Sequence, residues 1–149
     1  MRGFEQVELK YRSKETDFYY LPERSTKKSA GNDFKTPINF IIRPNEIVKV
    51  ITNVKSYMEY DELLEIHIRS SIGIKKNIML ANCTGLIDSD YYSNQDNDGN
   101  IIIALYNYGN EIQEFKKGDK IAQGVFKKYL IADNDNSNEE RVGGIGSTN

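Results

Sequence analysis

Leu64-Glu65-Ile66-His67-Ile68-Arg69 alternates apolar and polar side chains without a break. Residues two apart in a strand share a face, so Leu64, Ile66 and Ile68 form an inward row while His67 lines the polar face. The same reading extends outward in both directions. Ile38–Ile42 is a short apolar run, Ile47–Thr52 is β-branched, and Asn100–Tyr108 and Ile121–Leu130 read as buried strands. Turn chemistry separates them at Arg43-Pro44-Asn45, Asp98-Gly99, Tyr108-Gly109-Asn110 and Lys117-Gly118-Asp119. Many short strands at close spacing predict an all-β barrel or sandwich. No long stretch has a 3.6-residue period, and Ser56–Leu63 is the one place where a short helical turn is expected. No internal repeat is visible.

The chain has 149 residues, enough for one domain with a real core. With 38% hydrophobic and 28% charged residues it reads as a soluble protein, without a membrane span or a signal-peptide pattern. A formal net charge of −2 argues against a sequence-independent grip on nucleic acid, which needs a basic face. A nucleotide remains allowed, because it needs only a few local cations. The single cysteine, Cys83, excludes an intrachain disulfide and fits a reducing cytoplasm. A small buried thiol is expected there.

Residues 1–131 are expected to form the folded domain. Within it, Asn94–Asn100 is wholly polar apart from Gly99 and reads as a long hairpin tip. Ala132–Glu140 is acidic and poor in branched apolar residues, which predicts a flexible linker. Arg141–Asn149 carries an arginine, three glycines and two hydroxyls. That mix suits a phosphate wrap: glycine lets backbone amides approach and arginine neutralises charge.

The chemistry concentrates in Thr84-Gly85-Leu86-Ile87-Asp88-Ser89-Asp90-Tyr91-Tyr92-Ser93. Asp88 and Asp90 stand two apart at the end of an apolar strand pattern, and a fold needs a reason to keep two like charges on one face. Four further motifs accompany this one, in order. They are Ala30-Gly31-Asn32-Asp33-Phe34, Arg69-Ser70-Ser71-Ile72-Gly73, Gly118-Asp119-Lys120-Ile121-Ala122-Gln123 and the glycine-rich end from Arg141. Each is weak alone. All five together resemble the trimeric deoxyuridine triphosphatases (dUTPases) over about residues 20–149.

The resemblance implies a distorted jelly-roll barrel with a flexible C-terminal arm, and hydrolysis of dUTP to dUMP and pyrophosphate. Asp88 would be the general base that activates a water for attack on the α-phosphorus. Asp90 would support the hairpin. Tyr91 would lie against the deoxyribose and leave no room for a 2′-hydroxyl, with Tyr92 the packing residue. Asn82 offers both donor and acceptor to a uracil edge, and the backbone from Gly85 through Ile87 to Asp88 would supply the other base contacts. Arg69, Ser70, Ser71 and Gln123 would bind phosphate oxygens. Asp33 would hold magnesium through water, the ion itself staying mostly on the phosphates. Arg141, Ile145, Gly146 and Ser147 would close the site from the arm.

In the family three chains share each site, so a homotrimer is implied, with the arm reaching a neighbouring subunit. Three positions and the polar Asn94–Asn100 insertion depart from the family pattern, and at the first of them Ile68 stands where proline usually precedes the arginine. Ile145 stands where a phenylalanine usually stacks on the uracil, and Ser93 where glycine is frequent. A dCTP deaminase shares the fold but would need a glutamate beside Asn82–Tyr91, and none is there. A regulatory nucleotide-binding protein of the same fold is the alternative from another class.

Overall fold

A computed structural model describes residues 1–148; Asn149, the last residue of the expected arm, lies outside the described residues. Twelve strands and one short helix follow the chain. The strands are β1 (Gly3–Gln6), β2 (Glu23–Arg24), β3 (Asn32–Lys35), β4 (Phe40–Ile42), β5 (Ile47–Ile51) and β6 (Val54–Tyr57). Then come β7 (Glu62–Ile68), helix α1 (Ser70–Lys76), β8 (Ile78–Leu80), β9 (Gly85–Asp88), β10 (Ile102–Asn107), β11 (Gln113–Phe115) and β12 (Lys120–Lys128). The five predicted strands are all present, with ends shifted by two residues or fewer. They fall into four hydrogen-bonded sheets, of which the largest runs β2-β3-β12-β7-β9. The architecture is all-β and jelly-roll-like, without one continuous ladder closing a barrel.

Alternation explains the central strand. Leu64 and Ile66 of β7 are buried against Phe34, Ile121, Ile103 and Leu105, while His67 faces Glu65 on the polar side. Each such apolar side chain contributes about 1.5–3 kcal/mol when withdrawn from water. No helix among the described residues is long and apolar enough to cross a membrane.

Several expectations change. Ser56–Leu63 holds no helical turn: β6 ends at Tyr57, pairs with β1 from the far end of the chain, and β7 begins at Glu62. The helix lies later, at Ser70–Lys76, started by extended Arg69 and stopped by Asn77 in the left-handed region. Asn94–Asn100 is not an exposed tip, because Asn94, Asp98 and Asn100 are buried. Cys83 is exposed, on a tight turn where its φ is 63°.

Candidate active site

A cavity of about 310 Å³ opens beside β9. Its wall includes Asn82, Gly85, Ile87, Asp88 and Tyr91, and the arm contributes Arg141, Ile145 and Gly146. Antiparallel pairing with β7 sets this wall, with Ile66 opposite Gly85 and Leu63 opposite Asp88. Gly85 is required by close approach: a Cβ there would stand 3.0 Å from the Cβ of Ile66. Asn82 Nδ2 lies 3.8 Å from the same point, so the amide sits over the glycine at the cavity edge.

The strand stops at Asp88 and a single 3₁₀ turn, Ser89–Tyr91, follows. That turn brings Asp90 back toward Asp88, and both carboxylates reach one guanidinium. Arg141 Nη2 donates to Asp88 Oδ2 at 2.8 Å and Nε donates to Asp90 Oδ1 at 2.7 Å. Arg141 also stands 5.7 Å above the Tyr91 ring. Partial burial works against its charge. The hydrogen bond to Asp90 and the charges of Asp90 and Asp88 outweigh that effect and hold its pKa above the usual arginine value. The two like charges of the motif are therefore kept next to a cation.

The arm lies across its own chain here, whereas the family pattern would send it to a neighbour. Nine linker residues span roughly 30 Å when extended, so they allow either course. Gly143 and Gly144 are buried. Ile145 lines the cavity mouth yet is 77% exposed. Ser147 turns back on the arm, donating to Gly143 O at 2.8 Å.

Tyr91 and Tyr92 exchange the burial expected of them. Tyr91 is the buried one, and its hydroxyl donates to Asn100 O at 3.2 Å and accepts from Asn97 Nδ2 at 2.7 Å. Burial raises its pKa, so the phenol stays neutral. Tyr92 is half-exposed and hydrogen-bonds Glu5. Sequence reasoning missed the support beneath this pair. Lys55 and Asp98, both buried, form an ion pair at 2.9 Å, and Lys55 also reaches Ser93 Oγ at 3.2 Å. Ser93 adopts a φ of 54°, a left-handed conformation that accounts for glycine being frequent there in the family. The wholly polar composition of Asn94–Asn100 was the available signal, because seven residues that lack apolar anchors can be buried only as a hydrogen-bonded knot.

The remaining candidates gather elsewhere. Asp33 on β3 is buried, with Arg69 Nε at 3.0 Å and Lys120 Nζ at 2.8 Å, and Ser25 also donates to it. Burial opposes its charge, but the hydrogen bonds from Lys120 and Ser25 and the charge of Arg69 prevail and lower its pKa. Gln123 pairs across the sheet with Asp33 and His67, and its side chain packs on Gly31. Ser70 and Ser71 are exposed at the start of α1. A second hollow, holding Arg69, Ser71 and Lys120, shares no residue with the first. Asp33 already meets two cations and a hydroxyl, an environment that disfavours direct metal ligation, and the contact expected for it runs through water. No group of three His, Cys, Asp or Glu side chains among the described residues could hold a metal ion.

A family model described as dUTPase matches residues 19–149. The chain belongs to the dUTPase family. It is 41% identical over 150 residues to the deoxyuridine 5′-triphosphate nucleotidohydrolase of Lactococcus lactis, covering 99% of this chain and 97% of that one. The enzyme of the same name from Haemophilus influenzae is 34% identical over 134 residues, covering 85% of each chain. Among solved dUTPases, that of Streptococcus mutans superimposes with a TM-score of 0.76 at 37% identity, covering 88% of this chain and 98% of the other. A dUTPase from phage phi11 of Staphylococcus aureus shares the fold at 19% identity and a TM-score of 0.72, covering 93% and 97%.

Proposed function

We propose that the chain hydrolyses dUTP to dUMP and pyrophosphate. The observation that carries this reading is the convergence of Asn82, Asp88 and Tyr91 on one cavity, in a chain of the dUTPase family. Uracil enters over Gly85 and Ile87, where fixed backbone groups and the Asn82 amide read its edge. The Tyr91 ring packs on the deoxyribose. Asp88 takes a proton from a water, whose oxygen bonds to the α-phosphorus as the bond from that phosphorus to the α,β-bridging oxygen breaks and that oxygen leaves with pyrophosphate. A general base of this kind supplies about 10²–10⁴ in rate. Arg141 leaves the carboxylates for the phosphate oxygens, which accept stronger, bidentate hydrogen bonds and free Asp88 to act. Ile145, Gly146 and Ser147 follow it over the substrate. Magnesium would neutralise phosphate charge, and Asp33, already paired with Arg69, Lys120 and Ser25, would meet it only through water.

The catalytic unit in this reading is a homotrimer, with sites shared between chains. Asp88 pairs with Leu63, six residues before Arg69 on the same strand direction. At ~3.3 Å per residue that places the base and the Arg69 cluster about 20 Å apart. One triphosphate bound at both Asp88 and Arg69 therefore needs the Arg69, Ser70, Ser71 and Gln123 cluster of a second chain. Exposed Leu86, Ile112 and Leu130 supply apolar surface for such contacts. One exposed cysteine fits work in a reducing cytoplasm.

A turnover assay with dUTP, dCTP and UTP tests the activity. Pyrophosphate and dUMP from dUTP, well ahead of the other two, is the expected result. Ammonia from dCTP would point to a deaminase, and binding without turnover to a regulatory protein.

A further inference from the structure

The loop after the catalytic turn reaches the arm directly. Gly144 N donates to Asp96 Oδ2 at 2.8 Å. A Cβ on Gly143 would stand 2.4 Å from the same oxygen, and one on Gly144 would stand 3.3 Å from Asn97 Nδ2. The arm therefore passes so close to Asp96 and Asn97 that a side chain at either glycine would push the Asp96 carboxylate or the Asn97 amide aside. The loop that presents them is braced from within. Asn94 Oδ1 accepts from the amides of Asp96 and Asn97, and Asn94 Nδ2 donates to Asn97 Oδ1 at 2.8 Å. Asn97 in turn holds the Tyr91 hydroxyl.

We infer that Asp96 is a positioning residue that latches the glycine arm over the nucleotide cavity. Its carboxylate captures the Gly144 amide, and Asn97 couples that latch to Tyr91 in the cavity wall. Nothing in the reaction uses Asp96, and its side chain is otherwise free to face water. A charged acceptor on a backbone amide is a strong hydrogen bond, so it favours the docked arm before nucleotide arrives. The contact joins a loop to an arm, and an exchange of arms between identical chains preserves it. The inference rests on the proposed hydrolysis for its kinetic consequence, but not for the docking itself.

Two readouts keep these apart. The first is the rate of limited proteolysis within residues 132–140 in the nucleotide-free trimer. The second is the KM for dUTP against kcat. Asp96→Ala should speed arm cleavage and raise KM about three- to tenfold, as the net worth of one hydrogen bond from an exposed side chain predicts. Asp96→Asn, which keeps an acceptor oxygen, should restore most of both. Gly143→Ala should loosen the arm in the native background yet add less on top of Asp96→Ala, because its closest contact is that carboxylate, with Ser147 Cβ next at 3.2 Å. Unchanged cleavage and unchanged KM in Asp96→Ala would overturn the latch. Full additivity of the two substitutions, or no rescue by asparagine, would also overturn it. If the native protein fails to turn over dUTP, the proteolysis results still decide the latch.

Discussion

Arg141 Nη2 donates to Asp88 Oδ2 at 2.8 Å, so the arm is tethered to the carboxylate proposed as the base. This pairing holds the arm near the cavity, and in the proposed mechanism it is released when phosphate draws the guanidinium away. Charge pairing of this kind is screened by salt, so the docked fraction of the arm should fall as ionic strength rises.

Replacing Asp88 by Asn removes the proposed base and keeps its shape. Turnover of dUTP should fall by about 10²–10⁴ while a non-hydrolysable analogue still binds. Arg141 retains Asp90 as a partner, so the arm should stay docked. Steady-state kinetics beside analogue binding will check this. Near-native turnover in Asp88→Asn would remove Asp88 from the mechanism.

Tyr91 combines an observed hydrogen-bonding role with the proposed exclusion of a 2′-hydroxyl, and substitution can separate the two. Tyr91→Ala removes the ring and should admit UTP more readily. Tyr91→Phe keeps the ring and loses the hydroxyl that meets Asn97 and Asn100. It should keep rejecting UTP but lose about 1 kcal/mol of stability, the usual net worth of a hydrogen bond. Competition between dUTP and UTP, with melting curves for both variants, will tell the two effects apart.

Asp33 makes an acid-sensitive prediction. Its neighbours lower its folded pKa, so the unfolded chain binds the proton more readily. Its contribution is complete above the ordinary aspartate value near about 4 and is lost as pH falls through the lowered folded value. The melting temperature of Asp33→Asn should lie several degrees below native at pH 7, reflecting about 1–3 kcal/mol for a broken, partly buried pair. The gap should close as pH falls through that lowered folded value. A gap that does not change with pH would mean that Asp33 gives no charge-dependent stability.

Alternation made β7 legible because the strand has one buried face, and its core partners share that pattern. The strands β1 and β6 escaped notice because they are short and pair across some fifty residues, and β2 because it has only two residues. Pairing of Gly3 with Tyr57 has no local signature. The cavity wall around Gly85, Asp88 and Tyr91 could be read from a compact motif. The Lys55–Asp98 pair could not, since 43 residues separate two charges that look like ordinary surface groups. Asp33 was singled out by its motif, but its neutralisation by Arg69 and Lys120 depends on three neighbouring strands, β3, β12 and β7, ending together at one end of the sheet.

The sharing of each site between chains is the claim most open to direct test. Asp88→Asn and Arg69→Ala chains should each be inactive alone. Mixed one to one and reassembled from dissociated subunits, they should regain about a quarter of native turnover, because a site that draws each residue from a different chain has that chance of receiving both. A site built within one chain would regain none. Recovery near a quarter supports the shared site, and absence of recovery from correctly assembled mixed trimers would contradict it.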